Sequence, residues 1–249
     1  MRVYFNGCSH TYGDELKNPV SDSWPSLVSA ELSCSFTNDA VTGGTNERIV
    51  YNTVSNLNNY DFFIIAWTDY ARFTEYNPAD NYEINFNPGL NLDTSLHSSN
   101  DLKDNYAKYK DYGTLYYKHW YNDLYAFKQW LQQIILLQNL FENNNKSYIM
   151  LNSTRNNLDL WLSAEKLFIS HTKHLLPFFN FLNDQQILNF SNDIKNLVSS
   201  INTSTFVEWN NWYITKPGPL VEFGPGGHLL EEGQKQVAKK VIQTYNILV

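Results

Sequence analysis

Strand-length apolar runs recur along the chain, at residues 2–6, 61–67 and 146–152. Continuous runs of this length are typical of parallel strands that are covered on both faces. Segments with apolar residues at helical spacing separate and follow these runs, at residues 23–33, 46–57, 114–142 and 230–249. We predict further short strands at 34–37 and 205–209. Strands that alternate with helices favour a mostly parallel sheet between helical layers, which is a three-layer α/β/α sandwich.

Two stretches lack this regular pattern. Residues 74–112 are rich in Asn, Asp, Pro and Gly and have weak periodicity, which favours a long surface excursion. Residues 158–200 carry helical pieces with apolar clusters, which we interpret as an insertion or lid. A length of 249 residues suits one large α/β domain. We predict a single domain over 1–249, with helical and loop insertions at about 74–145 and 153–205.

The charge balance argues against nucleic acid as a partner, because the net charge is -7 and no basic patch or stripe is visible. The N-terminal segment turns polar too quickly for a signal peptide, and the longest apolar stretch is interrupted by Gln and Asn, which argues against a membrane span. Cys8 and Cys34 form neither a disulfide framework nor a metal-binding spacing. We expect a cytoplasmic or virion-associated protein.

Aromatic residues make up 16% of the chain, and many lie in its middle beside Asn and Asp. The candidates for stacking on sugar rings are Tyr109, Tyr112, Tyr116, Tyr117, Trp120 and Tyr121. Aromatics near helical spacing more often pack in a core. An AT-rich genome, which favours Asn, Tyr and Phe codons, explains the same composition. The sequence leaves these interpretations open.

Candidate chemistry begins where the first strand ends. Segment 7–13 reads Gly-Cys-Ser-His-Thr-Tyr-Gly, with Ser9 one or two residues past the strand. In an open α/β sheet, ligands bind beyond the carboxyl ends of the strands. A serine hydroxyl becomes an effective nucleophile when a base takes its proton. The alternative is that Ser9 only caps the helix that follows.

A glycine segment follows the second predicted strand at the same edge of the sheet. Gly44 exposes its backbone N–H there, and the Asn46 side chain is a further donor. Donors fixed in advance stabilise the oxyanion of a tetrahedral intermediate. An ordinary strand-to-helix turn capped by Asn46 is the alternative. Phosphate binding is less favoured, because the segment lacks the lysine and the spacing of a P-loop.

A single histidine stands just before the last predicted helix. This residue, His228, lies in the segment Gly-Gly-His-Leu-Leu-Glu-Glu-Gly at 226–233. A lone histidine is more often structural than catalytic. His171 and His174 lie three residues apart in a helical stretch, but no third ligand is evident, so we predict no metal site.

Taken in order, these segments resemble the SGNH (GDSL-type) hydrolase family. That family carries a G-D-S nucleophile block, a glycine block, an asparagine block and a C-terminal D-x-x-H block. Gly7-Cys8-Ser9 resembles the first block with Cys8 in place of the acid, and Gly44 with Asn46 resembles the second. The Gly-Cys-Ser-His/Phe-Thr-x-Gly variant is associated with SGNH-like proteins of phage and bacterial genomes. The entry into the last helix resembles H-P-x-x-x-G, and the resemblance covers residues 2–70 and 222–247.

The resemblance implies a flavodoxin-like fold and ester hydrolysis without a cofactor. In this scheme Ser9 attacks the carbonyl carbon and His228 takes the proton. The oxyanion is held by the N–H groups of Ser9 and Gly44, with Asn46 or Thr68. The predicted substrate-binding residues beside these blocks are His10, Trp67, Asp69 and Arg72.

Two departures from the family pattern affect these roles. Pro225 stands where the orienting acid of D-x-x-H belongs, so Glu222 is the nearest substitute and Glu208 a remoter one. A Ser–His dyad can also work, because the acid mainly orients the histidine. Asp69 occupies the asparagine block, where an ionised carboxylate repels an oxyanion, so we expect it to point elsewhere or pair with Arg72.

The implied function is that of a serine esterase or acylhydrolase. Removal of an acyl group such as acetyl from a carbohydrate is the expected reaction, so the expected partner is a small ester or acylated carbohydrate. The alternative is a catalytically inactive binding or structural protein, for instance a phage virion component, in a homo-oligomer or virion assembly. The two departures and the Asn-rich aromatic insertions favour that alternative.

Overall fold

The computed structural model describes residues 1–77, 82–86, 100–153, 184–207 and 223–248. The strands are β1 (Arg2–Asn6), β2 (Ser35–Asn38), β3 (Phe62–Trp67), β4 (Phe73–Asn77), β5 (Tyr82–Phe86) and β6 (Ser147–Asn152). The helices are α1 (Ser9–Tyr12), α2 (Pro19–Asp22), α3 (Trp24–Glu31), α4 (Asn46–Ser55), α5 (Asn100–His119), α6 (Asp123–Asn143), α7 (Asp184–Ser199) and α8 (Glu231–Leu248). A 3₁₀ turn covers Thr203–Thr205.

The central sheet is parallel, with the strand order β2-β1-β3-β6. A parallel bridge between Met150 and Phe206 continues the sheet beyond β6, where the sequence pattern predicted a strand over 205–209. This arrangement follows the flavodoxin-like order, in which the chain turns from one side of β1 to the other after β2. The crevice beside β1 and β3, at their carboxyl ends, is therefore the expected ligand position.

Both faces of the sheet are covered, as continuous apolar strands require. Alternate residues of the strands enter two separate cores. One core joins Tyr4, Phe63 and Ile65 to α4, α6 and α7, and the other joins Val3, Phe5 and Ile64 to α3 and α8. The prediction of a three-layer α/β/α sandwich is therefore confirmed.

The first predicted insertion divides into two different parts. Within residues 74–112, where weak periodicity predicted a surface excursion, the structure has the antiparallel hairpin β4–β5 and part of α5. Phe73 and Phe86 stack across this hairpin with ring centroids 4.6 Å apart. Helix α6 instead buries Phe127, Leu131 and Ile134 against the sheet. It lies between β3 and β6 in the chain and packs in the same core as those strands, while the predicted insertion bound of 145 stays a prediction.

In the part of the chain that the structure describes, no helix is both long and apolar enough to cross a membrane.

Candidate active site

The turn after β1 places Ser9 at the carboxyl edge of the sheet. Helix α1 begins at Ser9, and the N–H groups of Thr11 and Tyr12 both donate to the Cys8 carbonyl at 2.9 Å. Gly13 ends the helix in the left-handed region, with φ at 95°. The Ser9 N–H lies in the first turn, where a helix offers its N–H groups no internal acceptor. This turn therefore brings Ser9, which is buried, to the predicted ligand edge.

The glycine segment packs directly on this nucleophile turn. A Cβ on Gly44 would lie 2.9 Å from the Gly7 carbonyl oxygen and 3.4 Å from Cys8 Cα. Only a glycine allows two backbone segments to approach this closely. The Gly44 N–H donates to the Val41 carbonyl at 3.1 Å, so it is already engaged within its own turn. Its predicted role as an oxyanion donor requires that bond to be shared or broken.

Asn46 joins the glycine segment to the end of β3. Its side-chain amide donates to the Thr68 carbonyl at 3.1 Å and accepts from the Thr68 N–H at 3.0 Å. The cap of α4 is Thr45, which accepts from the Arg48 N–H, so the alternative role of Asn46 as the cap is wrong. The Thr68 hydroxyl is buried and has no hydrogen-bond partner among the described residues. A buried hydroxyl without a partner is expected where a ligand atom accepts its hydrogen bond.

His228 is presented by a short loop before α8. Phe223 and Leu229 form an antiparallel bridge, and the Gly224 N–H donates to the His228 carbonyl at 2.9 Å. Gly227 closes the loop at a φ of 84°, which favours glycine. The His228 ring lies against His10, with centroids 4.8 Å apart. Folding therefore brings the histidine near the C-terminus onto the turn that begins at Ser9.

Glu15 is the acid that contacts this histidine, and the sequence reasoning missed it. Its Oε2 lies 2.8 Å from His228 Nδ1, and the same oxygen accepts from the His228 N–H at 3.1 Å. Its Oε1 accepts from the Gly226 N–H at 2.6 Å. The Gly226 bond is the largest cause that lowers the pKa of Glu15, followed by the bonds from His228. No sequence signal marks Glu15, which is separated from His228 by 213 positions.

His10 is a buried neutral neighbour of the pair. Its side chain is 8% exposed. Burial first, and then the charges of His228 and Arg72, lower the pKa of His10 from 6.5 to about 3. His10 is thus uncharged at neutral pH. It contacts His228 through its ring, and its predicted contact with substrate stays a prediction.

The remaining predicted residues fall in different places. Trp67 is fully buried in the core, where its indole N–H lies 3.3 Å from Met150 Sδ, and its predicted contact with substrate stays a prediction. Asp69 turns back on its own loop, where it accepts from the Ala71 N–H at 2.8 Å. Arg72 donates to the Gly44 carbonyl at 3.3 Å, which places its cation beside the glycine segment. Glu222 and Glu208 lie outside the described residues.

The aromatic middle of the chain mostly packs on itself. Tyr116 lies on Phe73 with centroids 4.0 Å apart, and the Tyr117 hydroxyl donates to the Ala71 carbonyl at 2.9 Å. These rings form the inside of the hairpin and α5 unit rather than an open wall. Tyr112 is 44% exposed although its ring lies 5.5 Å from that of Phe86, and Trp120 is 78% exposed after the end of α5.

Among solved structures, the chain is similar to several proteins at low sequence identity, and some of these are described as lipolytic. The structure named TesA aligns with a TM-score of 0.48 and 12% identity over 100% of both chains. A member of the lipolytic G-D-S-L family from Veillonella parvula gives 0.46 and 13% over 98% of both chains. A GDSL-like lipase from Bacteroides thetaiotaomicron gives 0.45 and 15% over 100% of this chain and 89% of that one.

At the level of sequence, no curated protein matches the chain. One family model matches residues 14–169, which include Glu15, Gly44 and Asn46 but neither Ser9 nor His228. The match covers more than half of the 249 residues. The chain therefore belongs to the family of unknown function DUF6071.

Proposed function

We propose that this protein is a serine ester hydrolase whose nucleophile is Ser9 and whose general base is His228. One observation carries the proposal: the loop before α8 places His228 against the turn that begins at Ser9. The ring of His228 lies 4.8 Å from the ring of His10, the residue that follows Ser9. This contact supports a pairing of a nucleophile and a base from opposite ends of the chain, at the sheet edge where α/β proteins bind ligands.

The reaction follows from the groups present at this edge. His228 takes the hydroxyl proton as Ser9 Oγ attacks the ester carbonyl, and the carbonyl oxygen becomes an oxyanion. The Ser9 N–H and the Thr68 hydroxyl supply hydrogen bonds to that oxyanion, and Asn46 holds Thr68 in position. His228 then gives the proton to the departing alcohol as the ester C–O bond breaks, which leaves the acyl group on Ser9 Oγ. Water next attacks this acyl carbon while His228 takes its proton. The bond from the acyl carbon to Ser9 Oγ breaks, the carboxylic acid leaves, and His228 returns the proton to Ser9.

We further propose an acyl group as small as acetyl, carried by a carbohydrate. The exposed indole of Trp120 supports this choice, because an aromatic face in water can stack on a sugar ring. Acetylated oligosaccharides are the natural test substrates, and release of acetate is the measurement. A Trp120→Ala variant that keeps its rate on p-nitrophenyl acetate but loses affinity for the oligosaccharide would support the sugar contact.

The catalytic proposal is tested with p-nitrophenyl acetate, which has a small acyl group and a good leaving group. We expect turnover by the wild type, and a fall of about 10³-fold or more in Ser9→Ala and in His228→Ala. The double variant should be no slower than either single one, because the two residues act as a unit. Equal rates in all these proteins would end the catalytic claim.

A second candidate is a binding or structural protein that keeps the fold without the chemistry. The Gly44 N–H favours it, because this predicted oxyanion donor already donates to the Val41 carbonyl. A fluorophosphonate probe separates the two candidates. Labelling that Ser9→Ala abolishes supports the hydrolase, and an unlabelled but folded wild type supports the binding protein.

A further inference from the structure

We propose that Glu15 is the positioning acid of this site, in the role for which the sequence suggested Glu222. The inference rests on the proposed hydrolase function and deepens it. It moves the acid from the segment before the histidine to the turn that follows helix α1, the helix in which Ser9 lies. Ser9 and Glu15 then come from one segment, and His228 alone comes from the other end of the chain.

The Glu15 carboxylate accepts hydrogen bonds from residues of one loop, the loop that precedes α8. Gly226 N–H binds Oε1, while the N–H and the Nδ1 of His228 both meet Oε2. A carboxylate that accepts several such bonds is stabilised in its ionised form, in agreement with the lowered pKa of Glu15. The residue is therefore a fixed anion at neutral pH.

A fixed anion at this position decides the tautomer of the histidine. An ionised carboxylate can only accept a hydrogen bond, so Nδ1 must carry the proton that lies between it and Oε2. In the neutral imidazole, Nε2 is then left without a proton and is the nitrogen able to accept one from Ser9. When Nε2 has taken that proton, the carboxylate stabilises the resulting imidazolium.

The backbone on both sides is arranged around this carboxylate. Glu15 itself has a φ of 69°, which is uncommon for a residue other than glycine. A Cβ on Gly224 would lie 2.6 Å from the carboxyl carbon of Glu15, and one on Gly226 would lie 3.1 Å from Oε2. Residue 15 thus keeps an unfavourable conformation, and two glycines leave room for its head group. Asp14, its neighbour, binds Thr42 instead, so the two adjacent acids have separate partners.

The kinetic test compares three acids on p-nitrophenyl acetate. Glu15→Gln keeps the size of the side chain but removes the charge, and we expect kcat to fall by about 10²- to 10⁴-fold with KM little changed. Glu222→Gln is the control for the alternative acid, and Asp14→Asn is the matched control for loss of a neighbouring charge. Both should stay within about threefold of the wild type. A large loss in Glu222→Gln with normal Glu15→Gln would overturn the assignment.

Chemical rescue separates a positioning role from a purely structural one. Glycine accepts the positive φ at position 15, so Glu15→Gly removes the carboxylate while leaving its backbone donors in place. Added formate should bind where the carboxylate was and raise the kcat of Glu15→Gly at least tenfold. The same concentration of formate should not restore Ser9→Ala. A folded Glu15→Gly variant that loses activity and gains nothing from formate would contradict the proposal.

A readout that needs no turnover keeps this inference separate from the hydrolase proposal. In protein labelled with ¹⁵N-histidine, at a pH where the ring is neutral, His228 should carry its proton on Nδ1. In Glu15→Gly the proton should move largely to Nε2, and formate should reverse the change. If the wild type hydrolyses nothing and this shift is still seen, the hydrolase proposal fails while Glu15 keeps its positioning role. A wild-type His228 with its proton on Nε2 overturns the role of Glu15.

Discussion

Replacement of Gly44 by alanine tests how closely the glycine segment and the nucleophile turn are packed. The new Cβ would lie 2.9 Å from the Gly7 carbonyl oxygen, 3.1 Å from the Val41 carbonyl oxygen and 3.4 Å from Cys8 Cα. All three atoms belong to the backbone, so none can rotate away as a flexible side chain does. Gly44 is not among the described glycines with positive φ, so its conformation alone does not exclude alanine.

The expected cost follows from the displacement that relieves these contacts. Ordinary van der Waals separation requires the two segments to part by about 0.5 Å, and overpacking of this kind typically costs about 1–3 kcal/mol. Because a misplacement of about 1 Å near reacting groups can cost about 100-fold in rate, a shift of half that size should lower kcat by about tenfold. The variant should thus lose stability and activity together.

Urea unfolding gives the free energy of unfolding, and p-nitrophenyl acetate hydrolysis gives kcat. Gly43→Ala is the matched control. Gly43 has a φ of 69°, so alanine at this position is destabilised by an unfavourable backbone conformation. That variant should lose about 1 kcal/mol in stability and keep most of its kcat. A Gly44→Ala protein with unchanged stability and unchanged kcat would refute the close approach.

Two further predictions concern buried polar groups at the same edge. Thr68→Val removes a buried hydroxyl that has no partner among the described residues, so it should leave the free energy of unfolding unchanged or higher while lowering kcat by about 10- to 1000-fold. Urea unfolding and ester hydrolysis check this, and an unaffected kcat would remove Thr68 from the oxyanion site. For His10, the lowered pKa means that the unfolded chain takes up a proton first, so stability falls as the pH drops from about 6.5 towards 3. Wild type should lose about 3 kcal/mol between pH 7 and pH 4 that His10→Asn does not lose, and parallel pH profiles for the two proteins would contradict this.

The architecture and one edge of the site were readable from the sequence. Runs such as Phe62–Trp67 are apolar at every position, and a segment of this kind is stable only between two covering layers. Parallel strands end at the same edge, so any polar residue that follows such a run is brought to that edge. This is why Ser9 and Asn46 could be placed near one another before any contact was known. The hairpin around Phe73 was missed because its strands are short and stand among Asn, Asp and Pro.

What the sequence alone determined was the layered sheet and the approximate position of its ligand edge, because apolar periodicity is a local property of the chain. The partner of His228 was decided by tertiary structure. Glu15 becomes an acid for that histidine only when a loop more than two hundred residues later closes over it. Backbone donors such as the Gly226 N–H hold the Glu15 carboxylate beside His228. Every residue except proline carries such a donor, so no sequence pattern marks the acid that will pair with the histidine.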